Sequence, residues 1–444
     1  VEIFPFAPVP EIATIALLMT IFRTAPLFLL ISLVVAPLSA APVVTITTDR
    51  PDALYAENET VTFTIKAQDG TTALDASTIA WTLSLDGYET LSSGKGGPVT
   101  GSLDRPGFLL LTANYTGADG KVITAYGAAG ISPTAIPPSM PAPDDFDDFW
   151  AAQKKALAAV PMTFTAEPHP LAAASDAGLE AADLTIACEK NGPPVSGYFA
   201  KPKEAAPKSL PAVLWVHGAG VRSASLPTAL GGARDGFLSM DINAHGIPNG
   251  KPEAFYKALT EGELKTYRFD GNTDREKIYF RGMIVRLVRA IDFLTSQPEW
   301  DGKTVAVIGH SQGGLQALVA GGLDERVTFI GSGVPAGCDH TGMKANRIAG
   351  WPKIVTRLAD GSYDPAAIEA SRYIDAVNFA ARCKAEAIVS VGFIDRTCPP
   401  TSVYVAYNVL PGKKSILNYP SMGHASTDEI RLKFRQALLK HVGK

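Results

Sequence analysis

A chain of 444 residues, 46% hydrophobic and 19% charged, has ample material for a buried core, which excludes the disordered and fibrous classes. Its 40 basic and 44 acidic residues leave a net charge of −4, so no electrostatic footprint favours a nucleic acid or an anionic membrane, and an uncharged substrate fits better. Four cysteines, Cys188, Cys338, Cys383 and Cys398, match no zinc spacing and leave disulfides and buried thiols both open.

In chain order, residues 1–40 stand apart. Arg23 precedes an apolar run from Ala25 to Val35, and the small residues Ala36-Pro37-Leu38-Ser39-Ala40-Ala41 follow, the pattern of an export signal. The run is shorter than the roughly 20 residues a bilayer span needs. The stretch before it carries Pro5, Pro8 and Pro10 and reads as an over-extended start. A secreted or periplasmic protein is expected.

Residues 42–131 alternate in short runs such as Val43-Val44-Thr45-Ile46-Thr47, Val61-Thr62-Phe63-Thr64-Ile65, Ile79 to Leu83, Phe108 to Ala113 and Val122 to Ala125. The turn pairs Asp69-Gly70, Asp86-Gly87 and Asp119-Gly120 lie between them. Period-2 runs of β-branched residues broken by turns predict a small all-β sandwich of immunoglobulin-like size. Residues 132–143 hold five prolines, which exclude helix and central strand and mark a linker.

From residue 144 to 444 the pattern changes to α/β. Asp144 to Trp150 opens an amphipathic helix with acidic residues in its first turn. Apolar strands are predicted at Pro211–Val216, Phe237–Ile242, Thr304–Ile308, Val327–Ile330, Ala387–Val391 and Ser415–Tyr419. Helices fall at about 282–297, 314–321, 400–408 and 428–441. Buried strands alternating with helices specify a mostly parallel sheet covered on both faces, with function at the carboxyl ends of its strands.

The chemistry concentrates at Val305-Ala306-Val307-Ile308-Gly309-His310-Ser311-Gln312-Gly313-Gly314, a strand, a tight turn and a helix start carrying Gly-x-Ser-x-Gly. A serine hydroxyl attacks a carbonyl only when a sharp, uncrowded turn presents it, and glycines on either side let backbone approach closely. It also needs a base and a group to orient that base, in the chain order serine, acid, histidine. His424, in the loop after the last strand, is the expected base, since His441 sits at the end of the last helix. Asp395, where the run from Ala387 stops, is the expected acid, with Asp339 its competitor. The oxyanion donors are expected at the backbone N–H of Gln312 and of Ala219, the latter in His217-Gly218-Ala219-Gly220 after a strand.

Three other groups carry weaker signals. Gly331-Ser332-Gly333-Val334-Pro335-Ala336 resembles a dinucleotide fingerprint, but Pro335 falls where a backbone donor is needed. Asp241, Asn243 and His245 alternate like metal ligands but fit a pocket rim better. Trp351 and Tyr279 are candidates to stack on a sugar ring.

From about residue 140 onward the chain resembles the acetyl xylan esterase and cephalosporin-C deacetylase family of α/β-hydrolases. The matching segments are Pro143 to Trp150, Arg281-Gly282-Met283, Arg289 to Leu294, Gly309 to Gly314, Gly392 to Thr401 and Gly423-His424. The resemblance implies removal of acetyl groups from acetylated xylan or related sugars through an acyl-enzyme, without metal or cofactor. Ser311 would be nucleophile, His424 base and Asp395 its orienter. The family often has Tyr where Ala219 stands and Gly where His310 stands. The rivals are an esterase for feruloyl or longer acyl groups, a serine peptidase of the prolyl oligopeptidase type, and a non-catalytic glycan-binding protein.

Overall fold

The computed structural model describes residues 42–117, 119–190 and 192–444; the expected export signal and over-extended start lie outside them. The amino-terminal strands are β1 (Val43–Thr48), β2 (Leu54–Tyr55), β3 (Val61–Asp69), β4 (Thr72–Ala73), β5 (Ala80–Leu85), β6 (Glu89–Lys95), β7 (Val99–Gly101), β8 (Gly107–Thr116) and β9 (Val122–Ile131). Among the described residues they form one sheet in the order β1-β3-β4, with β7 also on β3, and a second in the order β2-β9-β8-β5-β6. Phe63 and Ile65 of one sheet share a core with Leu83, Leu109 and Leu111 of the other, so the two pack face to face as a sandwich. Strand β6 is polar and almost wholly exposed, which is why no apolar run announced it.

The unbroken run at Phe108 to Ala113 has a specific cause. Successive side chains of a strand point to opposite faces. Leu109, Leu111 and Ala113 fill the sandwich core, while Phe108 and Leu110 enter the core of the α/β region. Both faces of β8 are therefore buried, and the described residues cluster as one compact unit.

The proline-rich segment 132–143 is held along its length. Asn408 donates to the carbonyls of Pro133 and Ile136, Ser139 donates to Asp339, and Arg347 and Arg372 donate to the carbonyls of Pro137 and Pro141. A single 3-10 turn forms at Pro133–Ala135, where proline at the first helical position needs no N–H donor.

The second region has strands β10 (Phe164–Pro168), β11 (Leu179–Ile186), β12 (Val195–Pro202), β13 (Leu210–Val216), β14 (Leu238–Ile242), β15 (Trp300–His310), β16 (Val327–Gly333), β17 (Glu386–Gly392) and β18 (Lys414–Tyr419). The helices are α1 (Phe146–Ala158), α2 (Leu226–Arg234), α3 (Glu253–Glu261), α4 (Tyr279–Ser296), α5 (Gln312–Leu323), α6 (Pro365–Arg372), α7 (Ala376–Ala380), α8 (Pro400–Val409) and α9 (Asp428–His441). The sheet order is β10-β11-β12-β14-β13-β15-β16-β17-β18. Pairing is antiparallel from β10 through to β14 and parallel from there to β18.

Alternation again assigns the faces. Leu214, Val216, Val305 and Val307 point toward α4 and α5, while Val213, Ala306 and Ile308 point toward α9 through Ile430 and Phe434. The expected α/β-hydrolase core is this sheet with helices on both faces, and the expected strands all occur within a few residues of their predicted ends. No helix among the described residues is long and apolar enough to cross a membrane. All four cysteines are free and buried.

Phe108 is 1% exposed and belongs to the sandwich while packing in the α/β core. Phe108→Ala is expected to lower the free energy of unfolding by about 3–5 kcal/mol, measured by urea denaturation of the full chain.

Candidate active site

Strand β15 ends at His310 in the middle of the sheet, and Ser311 turns the chain into α5 with φ 58° and ψ −121°. Positive φ at serine is strained, and the surrounding hydrogen bonds hold it. Ser311 N donates to the Gly333 carbonyl at 2.8 Å, and its own carbonyl accepts from Ala336 at 3.0 Å. The Gly331 to Ala336 segment thus supports the serine from the next strand.

The glycines are steric necessities. A Cβ at Gly309 would lie 2.4 Å from the Val216 carbonyl oxygen, and one at Gly313 would lie 2.1 Å from the same atom. At Gly314 it would meet the Gly333 oxygen at 2.8 Å, so α5 can start only between the ends of β13 and β16.

Asp395 follows β17 and His424 follows β18. Gly392 lets them meet: a Cβ there would come 2.3 Å from the Met422 carbonyl oxygen and 2.6 Å from that of Gly423. His424 Nδ1 lies 2.8 Å from Asp395 Oδ2, and His424 Nε2 lies 2.9 Å from Ser311 Oγ. A carboxylate can only accept, so Nδ1 carries the proton and Nε2 is free to accept from the serine hydroxyl. The other oxygen of Asp395 accepts from the N–H groups of Thr397 at 2.8 Å and Cys398 at 2.9 Å. Its side chain has no exposed surface, whereas that of His424 is 28% exposed toward solvent. Asp339, the competing acid, is instead bound to Arg347 and Ser139, away from this relay.

Gln312 is the first residue of α5, where helix N–H groups lack intrahelical partners, and its side chain is pinned by the Tyr267 hydroxyl at 3.1 Å. The loop holding Ala219 passes against the serine: a Cβ at Gly218 would stand 3.4 Å from that of Ser311 and 3.9 Å from Arg222 Nη2. The Arg222 guanidinium donates to the Gly218 carbonyl at 3.2 Å, a cation on the loop facing Ser311 that the sequence did not single out.

Histidines hold this rim. His217 Nε2 accepts from the Ala244 N–H, so its Nδ1 donates to the Gly218 carbonyl. His245 Nδ1 faces the Tyr279 hydroxyl at 2.6 Å and its Nε2 faces the Gly220 carbonyl at 3.3 Å. Burial pushes His217 down to about 3 and His245 to about 4, so both are neutral. His310, where the resembling family has glycine, stacks on Phe434 with ring centres 5.3 Å apart and covers Gly333.

The metal-like trio is committed elsewhere: Asp241 accepts from Ser225 N–H, Asn243 donates to Ile247 and Asn249, and His245 bonds as above. Donor atoms of Asp395, Cys398 and His424 lie within 4.8 Å of one another, but Asp395 and His424 are already paired. Burial raises the Cys398 thiol well above its usual range, so it is not a nucleophile at neutral pH. Tyr279 and Trp351 are both partly buried. Tyr279 packs on Tyr267 at 5.0 Å, and Trp351 meets Phe280 edge-on at 5.9 Å while its backbone N–H donates to the Thr397 carbonyl in the Asp395 loop.

Two outcomes are expected. Gly313→Ala drives a Cβ into the Val216 carbonyl and should lower kcat/KM on an ester substrate at least about a hundredfold, since misplacing the serine by an ångström suffices for that. His245 must take a proton to become charged in the unfolded chain, so its contribution to stability is complete above about pH 6.5 and is lost as pH falls toward about 4. The drop in urea midpoint between those pH values should be smaller in His245→Gln than in the parent chain.

The family model for acetyl xylan esterase (AXE1) matches residues 136–440. An acetyl esterase, Axe7A, from Xylanibacter ruminicola is 33% identical over 346 residues, covering 77% of this chain and 76% of the relative. The acetyl xylan esterase of Paenibacillus sp. R4 superposes with a TM-score of 0.57 at 26% identity, over 69% of this chain and 98% of that one. Acetyl xylan esterase 1 of Thermoanaerobacterium sp. JW/SL YS485 superposes with a TM-score of 0.60 at 24% identity, over 69% and 97%, and supports the fold. With its α/β sheet, its strained serine turn and these matches, the chain belongs to the acetyl xylan esterase family.

Proposed function

We propose that this protein removes acetyl groups from acetylated xylan or related acetylated sugars, with Ser311 as nucleophile, His424 as base and Asp395 as its orienter. The observation that carries the reading is the continuous relay from Asp395 Oδ2 to His424 Nδ1 at 2.8 Å and from Nε2 to Ser311 Oγ at 2.9 Å. As the Ser311 oxygen bonds to the acetyl carbon, its proton passes to His424 Nε2. The oxyanion that forms is bound by the N–H groups of Gln312 and Ala219, each such donor contributing about 3 kcal/mol. When the ester bond breaks, His424 gives its proton to the departing sugar oxygen. Water then loses a proton to His424, attacks the acetyl-serine, and releases acetate as the proton returns to Ser311.

Trp351 and Tyr279 are the candidate sugar contacts, supported by their place beside the Asp395 loop and the Ala219 rim. Ala219 leaves more space than a tyrosine would, which favours testing longer acyl groups beside acetate. The apolar run Ala25 to Val35 ahead of small residues supports export to the medium or periplasm. A peptidase of the propeller-bearing kind is disfavoured by the small sandwich, and a non-catalytic glycan binder by the intact relay.

Ser311→Ala should lower the hydrolysis of 4-nitrophenyl acetate by at least about a thousandfold; an unchanged rate would end the esterase reading. Acetylated xylan is expected to release acetate faster than 4-nitrophenyl butyrate or a methyl ferulate ester releases its acid, measured side by side on one preparation.

A further inference from the structure

Asp86 and Gly87 form the turn between β5 and β6, with φ of 51° and 68°. Turn tips ordinarily face solvent. Asp86 is only 8% exposed. It is locked to β8 in both directions: its N–H donates to the Phe108 carbonyl at 2.8 Å, and its carboxylate accepts from the Phe108 N–H at 3.2 Å. The same carboxylate accepts from the hydroxyl of Thr401 on the first turn of α8, the helix into which the Asp395 loop runs.

The neighbouring contacts converge on that loop. Phe108 meets Phe393 edge-on at 5.1 Å and Tyr404 at 5.7 Å, and the Arg396 guanidinium lies 5.2 Å from the centre of the Tyr126 ring. Asp86, Phe108 and Leu110 line one side of a cavity of about 20 Å³, and Phe393, Asp395 and Arg396 line the other. Burial raises the Asp86 carboxyl to about 6 against the opposing pull of Thr401, Arg347, the Phe108 N–H and Arg105. This buried carboxylate is kept because it satisfies the Phe108 N–H and the Thr401 hydroxyl together, one on the sandwich and one on α8.

We propose that Asp86 is a positioning residue for the reaction: anchored in the sandwich through Phe108, it holds Thr401 and with it the loop that carries Asp395. The sandwich is then a fixed wall of the active site and not an independent binding module. The loop supplies the two N–H groups that fix one oxygen of Asp395, so a shift at the start of α8 turns the carboxylate away from His424. The inference rests on Asp395 being the acid of the reaction.

The test compares Asp86→Ala, Thr401→Val and Thr401→Ser in the full chain. The readouts are kcat and KM for 4-nitrophenyl acetate, the fraction of active sites titrated by a phosphonate ester, and thermal unfolding. Asp86→Ala and Thr401→Val should lower kcat about tenfold or more with KM within about twofold, at unchanged folded fraction, and Thr401→Ser should recover most of the rate. Should Asp86→Ala fail to fold, the Thr401 pair decides alone. Parent-like kcat in Thr401→Val, a loss that Thr401→Ser does not reverse, or a loss that only tracks the folded fraction would overturn the proposal. A parent chain inactive on the ester, or equal in rate to Ser311→Ala, would instead overturn the esterase reading, before Asp86 is touched.

Discussion

Ser311 sits in a backbone conformation that costs a non-glycine residue about 1–3 kcal/mol, and the surrounding structure is arranged to keep it there. Gly309, Gly313 and Gly314 remove the side chains that would separate β15, α5 and the ends of the flanking strands. The hydrogen bonds from Ser311 N to Gly333 and from Ala336 to the Ser311 carbonyl brace the turn from β16. With the hydroxyl fixed above the sheet, His424 and Asp395 need only arrive from the ends of β18 and β17. Gly392 makes that possible by letting the His424 loop lie on the chain that leads to Asp395.

The electrostatics around this turn follow from burial. His217 and His245 are kept neutral, each with one ring nitrogen donating and the other accepting, so they shape the rim without placing charge on it. Arg222, which donates to the Gly218 carbonyl, is a cation near the serine. Neutral imidazoles and a nearby guanidinium suit a reaction in which negative charge develops on an acyl oxygen. His424 differs from the other two in having a buried carboxylate behind it and solvent before it.

Strand β8 carries much of the contact between the sandwich and this chemistry. Because β8 buries alternate residues on opposite faces, the strand that closes the sandwich core also packs on Phe393 and Tyr404 next to the acid. Asp86 adds polar contacts to the apolar ones. The proline-rich segment that follows runs over the α/β region under restraint from Asn408, Ser139, Arg347 and Arg372, which leaves little freedom between the two halves.

Much of this was legible in one dimension because the signals are local. Apolar runs punctuated by turns located the central strands, and a glycine-flanked serine between strand and helix located the tight turn at Ser311. The order of serine, acid and histidine then selected Asp395 and His424. Strands β10 to β12 and helices α2, α3, α6 and α7 escaped: β10 is exposed along its whole length and so shows no apolar run, and the four helices have nine residues or fewer, too few turns for a clear periodic signal. Residues alone thus determined the two regions, the α/β class and which three side chains to compare. Tertiary structure decided that those side chains meet at hydrogen-bond distance, that the cysteines stay unpaired, and that Asp86 of the sandwich reaches the loop behind the acid. A hydrogen bond depends on positions to within a few tenths of an ångström, and only the packed chain sets those.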